Sequence, residues 1–285
     1  MSTPSDDTSR RAYWAQQMEA GYAMVEKLIA FPVEECGERF ASIPDAAAAA
    51  NVEMHFSASK IAGDLERVFF LRESLVRDVV TIGREMNQRG WILKIEDGFR
   101  SLEMQSQLVR KPQVFDAILK KCIWENSGAV PSVELIFRRA IVMTANIPKI
   151  GTHMSGSAID ISVYHRDDRR EVWRGNHYLE MSERTPMRSK FVEQEFIENR
   201  LAITAMMEAH GFMHFPFEFW HFNKGDAGDH IINGLSSPCR FGPVNWNPQT
   251  NEVTPVPDPL TPLNSLEVIG KEITAALWRA QESSA

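Results

Sequence analysis

Apolar residues first recur at helical spacing over residues 12–30, where Tyr13, Met24 and Leu28 predict a surface-packed helix. The polar residues 1–11 ahead of it read as a disordered tail. Pro32, Gly37, Pro44 and the alanine run 46–50 mark an irregular connection with room for one helical turn. From 65 to 89, Val68, Leu71, Leu75, Val79 and Ile82 form a helical stripe, and Gly90 is its stop signal. The period then changes. Residues 91–97, an apolar run from Trp91 to Asp97, read as a strand. Helical patterns return over 101–110, 112–124 and 132–144. Residues 157–164 alternate, with Ile159, Ile161 and Val163 on one face and Ala158, Asp160 and Ser162 on the other. Val172 and Trp173 offer a hairpin partner. A helix is predicted over 189–210, ended by Gly211, and the aromatic run 212–222 favours a strand. Residues 238–262, rich in Pro and Asn, wrap the surface before a last amphipathic helix over about 263–280. The sum is an α+β fold: a small antiparallel sheet with helices packed on one side.

Composition narrows the function. Of 285 residues, 44% are hydrophobic and 24% charged, as in soluble globular proteins. Lys and Arg total 31 against 38 Asp and Glu, for a net charge of −7. That balance argues against a phosphate-binding surface for nucleic acid and against docking on an anionic membrane. Cys36, Cys122 and Cys239 are odd in number and far apart, which suits a reducing compartment better than a disulfide framework. No apolar h-region follows the polar start, and charges interrupt every apolar run short of ~20 residues. The expectation is a cytoplasmic protein; the oligomeric state is left open.

Three places hold polar residues that a plain fold does not need. In His153-Met-Ser-Gly156-Ser-Ala158-Ile-Asp160 a His and an Asp flank a glycine turn and a strand start, and Ala158 and Ser162 leave space beside Asp160. In Glu218-Phe-Trp-His221 a carboxylate and an imidazole stand three apart. On a plain strand that spacing puts them on opposite faces, so a bulge or the strand's end must bring them together. Arg100 stands at the end of the 91–97 strand. Singly, each has an ordinary reading: a hydrogen-bonded loop His, a strand-end cap, a solvated edge carboxylate, a core His, a surface ion-pair Arg. Together, two His and an Asp are the ligand set of a catalytic zinc site with one open position, with a Glu for a base and an Arg for fixed positive charge.

The His153-x-x-Gly156-x-Ala158-x-Asp160 motif followed by Glu218-x-Trp220-His221 resembles the zinc D-Ala-D-Ala metallopeptidases. These are the VanX-type dipeptidases and VanY-type carboxypeptidases, which share a core with lysostaphin-type peptidases and hedgehog domains. Asp97-Gly98-Phe99-Arg100-Ser101 resembles the Asp-Gly-aromatic-Arg segment of the VanX type, and residues 207–212 resemble the helix end before Glu-x-Trp-His. The resemblance covers roughly residues 90–225. It implies one peptidase domain over 12–285, with its catalytic core there, an N-terminal helical extension over 12–89 and a Pro-rich C-terminal extension over 238–285.

The resemblance further implies that His153, Asp160 and His221 bind one Zn2+ per chain. Glu218 is then the acid/base that assists attack by zinc-bound water, and Arg100 stabilises the transition state. The family's Ser two places before the first His is Gly151 here, next to Thr152. Glu180 and Glu183 are the candidates for holding a substrate amine, with a solvated loop as the other reading of that stretch. His214, on the same predicted face as Glu218, reads as a packing His. The favoured expectation is a D-Ala-D-Ala dipeptidase acting on a small peptide. One alternative is a muropeptide carboxypeptidase or endopeptidase, separable by assaying free dipeptide against a pentapeptide stem. Another, of a different class, is a non-catalytic zinc-containing domain that binds peptides or partners. Pure binding needs neither Glu218 nor Arg100.

Overall fold

A computed structural model of the chain describes residues 4–282. Helix α1 (Pro4–Ala30) begins well before residue 12, so most of the expected tail is helical; residues 1–3 lie outside the described residues. The cause is local and tertiary. Asp6 and Asp7 sit in the first turn, where the helix dipole favours anions, and pair with Arg10 and Arg11 one turn on. Arg10 also pairs with Glu183, and the Trp124 indole donates to Asp7 Oδ1 at 3.0 Å. These contacts tie a polar segment down.

Strand β1 (Phe40–Ser42) leads into helix α2 (Ile43–Ala49), whose N-cap Ser42 accepts from the Asp45 amide. Strands β2 (Met54–Phe56) and β3 (Phe70–Arg72) follow, and β3 pairs with β1. The helical stripe expected from residue 65 therefore starts later, as α3 (Glu73–Gln88), because residues 70–72 are held in that strand pair. Strand β4 (Trp91–Asp97) is next. Helices α4 (Leu102–Arg110) and α6 (Val133–Thr144) are capped by the hydroxyls of Ser101 and Ser132, and α5 (Pro112–Glu125) has proline in its first turn. Two 3-10 turns at Pro148–Ile150 and Thr152–Ser155 precede strand β5 (Ala158–His165).

The predicted hairpin partner of β5 is a brief bridge, with the Val172 amide donating to the Val163 carbonyl. Helix α7 (Gln194–Glu208) is shorter than expected. The aromatic run is a hairpin rather than one strand: β6 (Met213–His214) and β7 (His221–Asn223) flank a turn at Pro216, a residue that cannot donate to a ladder. Helix α8 (Ala227–Ile232), the hairpin β8 (Val244–Asn247) and β9 (Glu252–Pro255), and helix α9 (Leu266–Glu282) complete the chain.

The main sheet has the order β2-β4-β5-β7-β6. It is antiparallel except for β2 and β4, which run parallel because α3 supplies the crossover between them. Ile159, Ile161 and Val163 join Leu93, Ile95 and Phe222 in a buried core with Leu75, Val79, Ile82 and Met86 of α3 and Ile203 and Met207 of α7. A second core joins Trp14, Met18, Val25 and Leu28 of α1 to Ile141 and Val142 of α6, and a third ties α5 and α6 to α9. Helices α1, α5 and α6 stand across a cavity from the opposite, polar face of the sheet. Among the described residues no helix is long and apolar enough to cross a membrane, and the three cysteines are free.

Candidate metal centre

Sheet register builds the site. Across three strands Asp97 pairs with Asp160, and Asp160 with His221, after a register shift between Ile95 and Asp97. Residues in direct register share a face, so Asp160 and His221 point together into the cavity. His153 arrives from the 3-10 turn ahead of β5. Gly156 makes that arrival possible: its φ is +67°, and a Cβ there would meet the Phe40 ring at 2.2 Å. Phe40 in turn stacks on Trp246 of β8, so the C-terminal hairpin backs the turn.

Donor atoms of His153, Asp160 and His221 lie within 4.8 Å of one another, and all three residues are buried. The His153 Nδ1–H donates to the Gly98 carbonyl at 2.7 Å, which turns Nε2 toward Asp160 Oδ1 at 3.2 Å. On His221 the roles are reversed. Nε2 pairs with Thr152 Oγ1 at 2.9 Å, and Nδ1 faces the same Asp160 oxygen at 2.9 Å. The other Asp160 oxygen accepts from the Tyr178 hydroxyl at 3.0 Å. Each imidazole thus has one nitrogen fixed from behind and the other aimed at a common point. A borderline-soft divalent ion fits this set of two neutral nitrogens and one carboxylate oxygen. Burial would raise the Asp160 pKa, but the two imidazoles overcome it and hold the carboxyl well below its usual range. Burial and the charges of Asp160 and Asp97 push the Tyr178 phenol well up, so it stays a donor.

Glu218 sits in the β6–β7 turn and lines the same cavity. The His221 amide donates to the Glu218 carbonyl at 3.3 Å, so a turn resolves the three-residue spacing. Burial pushes its carboxyl up to about 7, with the His221 and Arg100 charges opposing and Asp160 reinforcing. Arg100 also lines the cavity. Its Nε donates to Asp97 Oδ2 at 2.6 Å, and its guanidinium lies 3.9 Å from Asp160. Burial would lower its pKa, yet Asp97 and Asp160 raise it overall, so it stays charged.

The five residues expected from the sequence therefore meet in one place. The two acidic candidates for a substrate amine do not. Glu183 lines the cavity, but its carboxylate is engaged by Arg10 and by Lys121 at 3.8 Å; Glu180 is exposed and outside the lining. His214 bonds Glu208 through Nδ1 at 2.6 Å and is not on a strand with Glu218. Sequence reasoning missed Asp97, Thr152, Tyr178 and Arg67, whose NH1 lies 3.6 Å from Asp97 Oδ1. Asp97 carried a signal, since it stands in the same short segment as Arg100; the others carried none.

The α+β fold thus carries a buried His/Asp/His set able to hold a metal ion, open on one side to a cavity lined by a carboxylate and an arginine. Residues 87–237 match the family model described as D-ala-D-ala dipeptidase (Peptidase_M15). That is more than half the chain, and the protein belongs to this family. It is also similar to a D-alanyl-D-alanine dipeptidase of Enterococcus faecalis, at 27% identity over 138 residues; the match covers 48% of this chain and 64% of that relative's length.

Proposed function

We propose that the protein is a zinc-dependent metallopeptidase that hydrolyses short D-amino-acid peptides, with free D-Ala-D-Ala as its reference substrate. The observation that carries this reading is the convergence of His153, Asp160 and His221 on one point beside Glu218 and Arg100. Those three side chains would hold the ion. When bound, zinc would supply Lewis-acid polarisation to the scissile carbonyl and to the attacking water. Glu218, whose carboxyl burial raises above its ordinary value, takes a proton from that water and passes it to the leaving amine. Arg100 presents its guanidinium to the developing oxyanion, and Asp97 holds it in place. Gln105 steadies the same guanidinium, accepting from NH1 at 3.4 Å while its own Nε2 donates to the Thr144 carbonyl.

Elemental analysis of the purified chain tests the ion, and D-Ala release from D-Ala-D-Ala tests the chemistry. The expected result is one zinc per chain, with hydrolysis abolished by a chelator and restored by zinc. His153→Ala should lose both metal and turnover. A zinc-loaded chain that cleaves no D,D- or L,D-peptide would instead favour a non-catalytic peptide-binding domain.

A further inference from the structure

The cavity over the metal cluster has a volume of about 940 Å³, at the upper end of what holds a drug-sized ligand. D-Ala-D-Ala presents only two methyl groups to its walls. Leu108, Val114, Trp124, Met143, Met181 and Phe215 line this cavity and remain half-buried, so apolar surface is left for a ligand to cover. Besides Glu218 and the exposed Lys120, several charged groups among these walls are already partnered. Glu183 is held by Arg10 and Lys121, Lys121 lies 3.7 Å from the Trp124 ring centre, and Asp7 takes Arg11 and the Trp124 indole.

We propose that, within the peptidase reading on which this rests, the preferred substrate is a D,D-dipeptide carrying a large apolar side chain, of Leu or Phe size, next to the scissile bond. A longer peptide could also fill the volume. Most of its extra amides would then face apolar walls or charges already paired with one another, and burying an amide without a partner is costly. An apolar side chain meets no such penalty. Met143 and Met181 suit it further, because an unbranched thioether adapts its shape to the group it covers.

The test is kcat/KM of the zinc-loaded full chain for D-Ala-D-Ala, D-Ala-D-Leu, D-Ala-D-Phe, D-Phe-D-Ala and a pentapeptide stem. At least one bulky dipeptide should exceed D-Ala-D-Ala by about tenfold or more, the scale on which apolar pockets discriminate. Val114→Trp, which fills the compartment, should cut that ratio at least several-fold. Binding to the zinc-loaded Glu218→Gln variant should rank the dipeptides in the same order without turnover. Cleavage with D-Ala-D-Ala or the pentapeptide preferred overturns this inference and leaves the peptidase reading standing. No cleavage of any member by zinc-loaded protein overturns both.

Discussion

The two faces of β5 differ in kind although they are made by alternate residues of one strand. Ile159, Ile161 and Val163 are fully buried against α3 and α7. One residue out of phase, Ala158, Asp160 and Ser162 are equally hidden but face the cavity side, and Asp160 carries hydrogen bonds from Tyr178 and contacts with both imidazoles. The apolar face needs volume and shape, so it fixes the strand. The polar face needs small neighbours and oriented lone pairs, so it uses a position already fixed. The contrast teaches that stability and chemistry are separable here by parity along the strand. A slip of one residue would exchange them.

The largest effect is expected on the polar side. Glu218→Gln should lower kcat by roughly 10²–10⁴-fold, the usual contribution of a positioned acid/base. Zinc content by elemental analysis should stay at one per chain, and the unfolding midpoint should not fall. Loss of metal in this variant would mean that Glu218 supports the donor set and does not merely stand beside it. The complementary change is Ile161→Ala, at a residue with no exposed surface. Removing those atoms should cost about 2–5 kcal/mol in urea unfolding. Zinc binding by the folded fraction should be retained; if it is lost, the two faces are not independent.

The sequence made the two faces legible and left the surroundings obscure, for physical reasons. Strand β5 has a period of two that no helix shares, and His153, Asp160 and His221, each with an ordinary reading alone, form a ligand set when taken together. Glu218 was legible as a residue but not in its geometry, because whether Pro216 begins a turn or interrupts a strand depends on what β6 pairs with. Three-residue strands such as β1, β2 and β3 are too short to show any period. The first turns of α1 look unstructured because part of what holds them, Glu183 and Trp124, lies more than a hundred residues away. Thr152 and Tyr178 are common residues whose roles exist only after the sheet has formed.

Thr152 gives a smaller test of the polar side. Its hydroxyl is the partner of His221 Nε2, so Thr152→Val removes the polar contact behind the ring and leaves its orientation to packing and to Asp160. Loss of such a supporting contact typically weakens metal binding about 10–100-fold. Competition with a chromophoric chelator reads this directly, and an unchanged affinity would show that the aromatic contact of His221 with Phe215 suffices.

The smallest expected effect is a pH shift, and it separates the two faces most finely. Burial raises Glu218 from its ordinary 4.5 to about 7. As a base it works as the carboxylate, so kcat/KM should fall as pH drops through its pKa. A divalent cation held by His153, Asp160 and His221 favours the carboxylate and draws that pKa down, which places the acid limb below 7. Arg100→Gln withdraws a positive charge from the same carboxyl and should move the limb upward in whatever activity remains. Stability carries the same shift with the opposite sense. In metal-free protein the folded state keeps the Glu218 proton longer than the unfolded chain does, so its contribution is present below 4.5 and is lost as pH rises toward 7. Glu218→Gln should flatten that part of the stability profile, while Ile161→Ala should lower the whole profile without changing its slope. Parallel profiles for Glu218→Gln and the unaltered protein would show that the carboxyl is not desolvated, and that the polar face is wetter than its packing implies.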